Sequence, residues 1–299
     1  MISHLTLQNK QILTNTVSLQ VDAQGHEFLI IAHENFNAAF ALHGAHLLHF
    51  QLKGQPPLIW LSKTANYDEK KAIRGGVPIC WPWFGAADKS LGNDLPAHGF
   101  ARTSKWSLKN INELTHGLEI ELLLKDSLQT RKIWPYPFEL TLKATLTDTL
   151  KLELISKNSG KKAYLYGAAL HTYFNISAPE SCLLKGLAEQ YQDKLDAGHL
   201  RKGEASLQIQ GPIDSIYTKA SAAIALIDNG FKRQINISNS GNDSDVVWTP
   251  WVEGAKAFTD MPDDGYKQML CVESTITRPE GQIVAPNQVH ILSTVIGQS

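Results

Sequence analysis

Hydrophobic alternation with a period of two is the feature that most narrows what this chain can fold into. Leu118, Ile120, Leu122 and Leu124 alternate with Glu119, Glu121, Leu123 and Lys125. The same pattern recurs over Leu140–Ala144, over Leu150–Leu154 and around Ile235 and Ile237. Successive side chains of a strand point to opposite faces, so this is the pattern of strands with one buried face. Turn-forming clusters separate the runs: KGQPP at Lys53–Pro57, KNSGKK at Lys157–Lys162, DNG at Asp228–Gly230 and PDDG at Pro262–Gly265. No long amphipathic helix is visible; a short one is expected at most around Ser181–Lys194. Many short strands with regular turns predict an all-β protein, a large antiparallel β-sandwich. No linker or repeat divides residues 1–299, so a single domain is expected.

Composition removes several function classes. The 299 residues carry 28 Lys and Arg against 29 Asp and Glu. So even a balance lacks the basic footprint of a nucleic-acid binder, and any anion site must be local. The three cysteines, Cys80, Cys182 and Cys271, are far apart and have no CxxC spacing. Reduced thiols in a cytoplasmic protein are the expectation. The N-terminus lacks the apolar run of a secretory signal, and no stretch is apolar enough for a membrane helix.

One segment breaks the alternation. Arg74 to Arg102 reads RGGVPICWPWFGAADKSLGNDLPAHGFAR. A long irregular stretch within a compact domain either carries function or caps the end of a sandwich. Arg74 and Arg102 bracket it. Guanidinium groups hold phosphate through a planar fork and keep their charge, although for any two arginines taken at random a surface position with ion-pair partners is the commoner case. His98 can exchange hydrogen bonds with a sugar hydroxyl or tie the loop down. Trp81, Trp83 and Phe84 can stack on the apolar face of a sugar or plug the core.

Two titratable residues lie at strand positions. His171, in AALHTYFN, ends an apolar run; histidine is the side chain best suited to proton exchange near neutrality, yet one in such a place is commonly structural. Glu273, in MLCVES, shares a strand face with Met269 and Cys271. A carboxylate there is costly to bury unpaired, so it is either a strand-end group reaching water or a base with a tuned pKa. Asp214, in PIDSIY, can accept hydrogen bonds from sugar hydroxyls or serve a turn. Dinucleotide, P-loop, zincin and hydrolase-elbow motifs are absent from the sequence. His43, His46 and His49 lack metal-ligand geometry for a strand region.

The ordered set RGGVPICWPWFG, LPAHGFAR, ALHTYFN, IDSIY and DMPDDGYKQMLCVES resembles the D-hexose-6-phosphate epimerases, also called glucose-6-phosphate 1-epimerases. These belong to the wider aldose 1-epimerase, or galactose mutarotase, superfamily. The resemblance spans the chain from about Ala41 to about Glu273. It implies a twisted β-supersandwich and a mutarotase that interconverts the α and β anomers of a hexose 6-phosphate, glucose 6-phosphate first among them. It further implies that His171 is the catalytic acid and Glu273 the base. Arg74 and Arg102 would hold the 6-phosphate, with His98 and Asp214 orienting the sugar. No metal or organic cofactor is implied; the implied partner is a small-molecule hexose phosphate, with no nucleic acid or membrane, bound by a monomer. The chain departs from the pattern at Ala97, where some eukaryotic members carry a substrate-touching glutamine. A non-catalytic sugar-phosphate binder, a mutarotase for unphosphorylated aldoses, and a lyase or hydrolase on a related sandwich are the competing functions. The roles of Trp81, Trp83 and Asp260 are left open.

Overall fold

The computed structural model describes residues 2, 4–277 and 281–299. The alternating segments are strands, and every strand-to-strand ladder is antiparallel. Leu118, Ile120, Leu122 and Leu124 of the strand Gly117–Lys125 are buried, as are Leu140, Leu142 and Ala144 of Phe138–Leu146 and Leu150, Leu152 and Leu154 of Leu150–Asn158. These three strands lie side by side in a nine-stranded sheet, completed by Ser206–Gln208, Cys182–Lys185, Ile224–Asp228, Arg233–Ser240, Val289–Gln298 and Ser107–Leu114. Their apolar face covers one core. Their other face carries Lys and Glu, which water solvates.

The second large sheet behaves differently. It runs His199–Lys202, Gln190–Asp193, Ile213–Tyr217, Ser244–Thr249, Met269–Ile276, Ala168–Leu170 and Ile79–Cys80, with Tyr173–Asn175 also paired to Met269–Ile276. All eight residues of Met269–Ile276 are buried. Leu270 and Val272 join the main core with Leu152 and Leu154 of the nine-stranded sheet, so the two sheets form the sandwich. Met269 and Cys271 face the other way, into a smaller cluster with Trp60, Tyr173, Met261 and Tyr266. A strand buried on both faces cannot show period-two hydrophobicity, which explains why this central strand is less visible in the sequence than its neighbours.

A five-stranded meander, Gln8–Ile12, Val17–Val21, Glu27–Ala32, Phe36–Ala41 and His46–Leu52, packs at one end. A two-stranded ladder of Tyr164–Tyr166 with Gln282–Val284, five single-turn 3-10 segments and two short α-helices make up the other regular structure of the described residues. Leu128–Ile133 opens with a capping box between Ser127 and Thr130, and Trp251–Ala257 follows Pro250. The helix expected around Ser181–Lys194 is not formed. That stretch holds the strands Cys182–Lys185 and Gln190–Asp193, joined through Gly186. Gly186 takes a left-handed φ (+85°), which no right-handed helical turn contains, and the Ala223 carbonyl lies so close that no side chain fits there.

The irregular segment wraps the edge of the second sheet. Gly76 (φ +69°) passes so close to the preceding meander that a Cβ would lie 2.4 Å from the Leu47 carbonyl. Gly99 (φ +72°) sits against the Trp81 carbonyl at 2.0 Å by the same measure. These two glycines let backbone cross backbone and so bring both ends of the segment to one place.

Candidate active site

Strand register assembles the floor of the site. Ala168–Leu170 and Tyr173–Asn175 both pair with Met269–Ile276, Leu170 opposite Ser274 and Tyr173 opposite Cys271. The register is continuous across the break, so His171 falls opposite Glu273. One row across the sheet therefore reads Gln192, Ile216, Val246, Glu273 and His171. The parallel row reads Asp214, Trp248, Cys271 and Tyr173. Cross-strand neighbours share a face, so residues from five strands converge on one surface. The irregular segment supplies the walls with Arg74, Phe84, His98 and Arg102. The resulting cavity has a volume of about 620 Å³. His171, Glu273, Arg74, His98, Arg102 and Asp214, the six residues singled out in the sequence, all line it.

His171 Nδ1 lies 3.3 Å from Glu273 Oε1. The separation is within ion-pair reach but the groups are not aligned as a hydrogen bond, and neither Nδ1 nor Glu273 Oε2 has a hydrogen-bond partner among the described residues. Glu273 is 1% exposed and His171 12%. Burial drives the Glu273 carboxyl well above its ordinary range, with the nearby Asp214 charge adding to the rise and Arg102 opposing it. Burial likewise drives His171 well below the ordinary imidazole value, helped by His98, Arg102 and Arg74. Both shifts disfavour the charged form.

His98 occupies a left-handed backbone conformation, φ +65°, uncommon for a non-glycine residue. Its amide donates to the Gly85 carbonyl at 2.7 Å, and its Nδ1 accepts from the Gly85 amide at 3.3 Å. That second bond assigns the neutral tautomer, leaving the proton on Nε2 as a donor. Burial, then Arg102 and Arg74, lower its pKa to about 4, so the ring is neutral near pH 7.

The two arginines are held differently. Arg74 Nε donates to Asp260 Oδ1 at 3.0 Å, its Nη1 to the Tyr173 hydroxyl at 3.3 Å, and its guanidinium lies 4.1 Å over the Phe258 ring. Asp260 thus acquires a role: it fixes Arg74. Arg102 Nη2 donates to the Ala97 carbonyl at 2.8 Å, while its buried Nε has no partner among the described residues. The position occupied by Ala97 therefore contributes its backbone here. Trp81 is fully buried, with its Nε1 donating to Ser156 Oγ, and Trp83 donates to the Pro96 carbonyl. Both are core residues; Phe84 alone of the three aromatics lines the cavity.

Tyr173, Gln192, Lys194, Trp248 and Phe258 also line the cavity and were not singled out in the sequence. Tyr173 had a local signal, being two residues from His171 on a strand. Trp248 and Gln192 reach the site only through register with strands remote in sequence. His171, Cys271 and Glu273 place ligand atoms within 4.8 Å of one another. Cys271 is fully buried in the smaller core cluster, where burial holds its thiol well above the ordinary value. His46 is turned away from the site, bonding the Gly75 carbonyl, and His43 bonds that of Lys71.

Comparison with known proteins agrees with this architecture. The family model described as aldose 1-epimerase matches residues 27–297. A protein of Escherichia coli strain K12, provisionally described as a glucose-6-phosphate 1-epimerase, is 32% identical over 270 residues, covering 90% of each chain. A relative from Cenchrus ciliaris with the same provisional description is 34% identical over 252 residues, 80% of this chain and 74% of its own. The crystal structure of a protein from Salmonella typhimurium, provisionally described as a mutarotase, superposes with a TM-score of 0.92 at 31% identity, covering 98% of this chain and 97% of that one. The galactose 1-epimerase of Lactobacillus acidophilus shares the fold, with a TM-score of 0.66 at 14% identity over 98% of both chains. The chain belongs to the aldose 1-epimerase family.

Proposed function

We propose that this epimerase interconverts the α and β anomers of hexose 6-phosphates, with glucose 6-phosphate as substrate. The observation that carries the reading is the side-by-side placement of His171 and Glu273 in a cavity that also receives Arg74 and Arg102. Anomer exchange opens a hemiacetal. A proton leaves the C1 hydroxyl while another reaches the ring oxygen, and both oxygens are bonded to the same carbon. An acid and a base must therefore stand next to each other.

In the forward step the Glu273 carboxylate takes the O1 proton and the His171 imidazolium gives one to the ring oxygen. The C1–O5 bond breaks and C1 becomes an aldehyde. Rotation about C1–C2 exposes the other face of the carbonyl, and the same transfers run backwards to close the ring. Before the step the pair is carboxylate and imidazolium; after it, carboxylic acid and imidazole. Each state holds one proton between the two groups. Burial raises Glu273 and lowers His171, which favours a pair holding one proton and, within it, the neutral acid and imidazole; passing that proton from Glu273 to His171 gives the carboxylate–imidazolium form that opens the ring.

The phosphate takes no part in bond making. Arg74 and Arg102 offer it charge-assisted hydrogen bonds, which fix the sugar over the acid–base pair. His98, a neutral donor through Nε2, and Asp214, an acceptor, suit sugar hydroxyls. The test is exchange NMR on the purified protein with glucose 6-phosphate and glucose. Faster exchange of the phosphorylated sugar supports the reading. Equal kcat/KM for the two sugars points instead to an aldose mutarotase, and no exchange of either to a binding protein.

A further inference from the structure

The cationic wall and the acid–base pair are joined by one aromatic side chain. The Tyr173 ring lies parallel to the His171 imidazole, with centroids 5.0 Å apart and planes 11° apart. Its hydroxyl accepts a hydrogen bond from Arg74 Nη1. The ring also lies near-parallel to Trp60, at 5.9 Å and 21°, and meets Trp248 in an edge-to-face pair with centroids 6.0 Å apart. It is 3% exposed. Such packing leaves the ring little freedom of its own, so a displacement of the hydroxyl end is felt at the face that supports His171.

Arg74 has five N–H donors. Asp260 and Tyr173 engage two of them, and the cation lies over Phe258. Asp260 and Phe258 hold the guanidinium independently of the tyrosine. The bond to the tyrosine is a third contact, and it alone connects these Arg74 contacts to the ring stacked on the imidazole. The imidazole needs such support, because its Nδ1 faces Glu273 without a hydrogen bond to fix the ring.

We propose that Tyr173 is a positioning residue that couples occupation of the arginine clamp to the orientation of His171. Binding of a phosphate dianion then raises turnover as well as affinity. This is the case in which binding energy from a non-reacting part of a substrate is used at the reacting carbon. The proposal rests on the phosphate-clamp reading above.

Tyr173→Phe tests it, because phenylalanine keeps the ring and its stack and removes only the bond to Arg74. The measurement is kcat and KM for anomer exchange of glucose 6-phosphate and of glucose, with inorganic phosphite added to the glucose reactions and protein-free rates subtracted. In the native protein phosphite accelerates glucose exchange in a saturable way. In Tyr173→Phe that acceleration falls roughly 10-fold, and kcat for glucose 6-phosphate falls with it while KM changes less than threefold. A variant that keeps the native phosphite acceleration, or that changes only KM, overturns the coupling and leaves the clamp intact. Equal kcat/KM for both sugars in the native protein overturns the clamp itself, and the coupling with it. Tyr173→Leu, which removes stack and hydroxyl together, should lower the acceleration at least as far; a Leu variant with native acceleration contradicts the proposal even where the Phe variant misfolds.

Discussion

Two faces of this molecule handle charge in opposite ways. On the outer face of the nine-stranded sheet, charges come in neighbouring opposites: Lys143 meets Glu119 at 2.8 Å, Lys109 meets Glu121 at 2.6 Å and Lys151 meets Glu153 at 2.8 Å. Water and a partner serve each of them. On the cavity face of the second sheet, a 1% exposed carboxylate and an imidazole lie within reach of each other without a hydrogen bond, and a buried arginine Nε has no partner. Unpaired buried polar groups cost stability. Among the described residues ten buried side-chain atoms lack a partner, and three of them, His171 Nδ1, Glu273 Oε2 and Arg102 Nε, meet in this one cavity, where a ligand can pair them. The difference between the faces is the physical argument for where this protein works.

The comparison breaks most visibly if the cavity groups are as replaceable as the outer pairs. His171→Asn is expected to lower kcat for glucose 6-phosphate by about 10²–10⁴-fold, the usual worth of a positioned acid or base, with a much smaller change in KM. Exchange NMR reads both. Arg102→Ala is expected to lower kcat/KM for glucose 6-phosphate by roughly 10- to 100-fold, and for glucose by far less, because only the phosphorylated sugar uses the cation. Equal losses on both sugars would assign Arg102 to the loop rather than to the substrate.

Much of this was readable in the sequence, and the reasons are specific. The outer sheet shows itself because Leu118–Leu124 and their neighbours are buried on one face only. The six candidate residues were assigned as a set by the ordered motifs that resemble the epimerase family; read singly, each kept a structural alternative. Trp248 and Gln192 were not singled out because their membership depends on which strands pair, and pairing is a long-range property; Tyr173, two residues from His171, carried a local signal that was passed over. Asp260 stayed open for the same reason: its partner Arg74 is far away along the chain. The segment around Ser181–Lys194 was misread as a helix because short strands ending at turns carry too few residues to establish a period.

A smaller effect sharpens the comparison through pH. His46, His49 and His98 are buried with pKa values lowered from 6.5 to about 3, 4 and 4. A depressed histidine binds its proton more readily in the unfolded chain. Its contribution to stability is complete above about pH 6.5 and is lost as pH falls towards the folded value. Each histidine then contributes a slope of up to about 1.4 kcal/mol per pH unit. Thermal melts should show Tm falling steadily from pH 6.5 to 4.5, and His49→Gln should flatten that slope. A Tm independent of pH over this interval contradicts the burial of these rings.

The smallest effect belongs to the outer face. Lys143→Ala, which removes the 2.8 Å contact with Glu119, should cost less than about 1 kcal/mol in a denaturant melt, because both groups remain hydrated. Its exchange kinetics should match those of the native protein.

The account depends on His171 and Glu273 working as one unit that carries a single proton. Anomer-exchange NMR on glucose 6-phosphate with His171→Asn, Glu273→Gln and the double variant tests this most directly. Groups that act together lose their effect together, so the double variant should exchange no more than about threefold more slowly than the slower single variant. Losses that multiply, or a Glu273→Gln protein that still exchanges anomers at the native rate, would contradict the shared-proton mechanism.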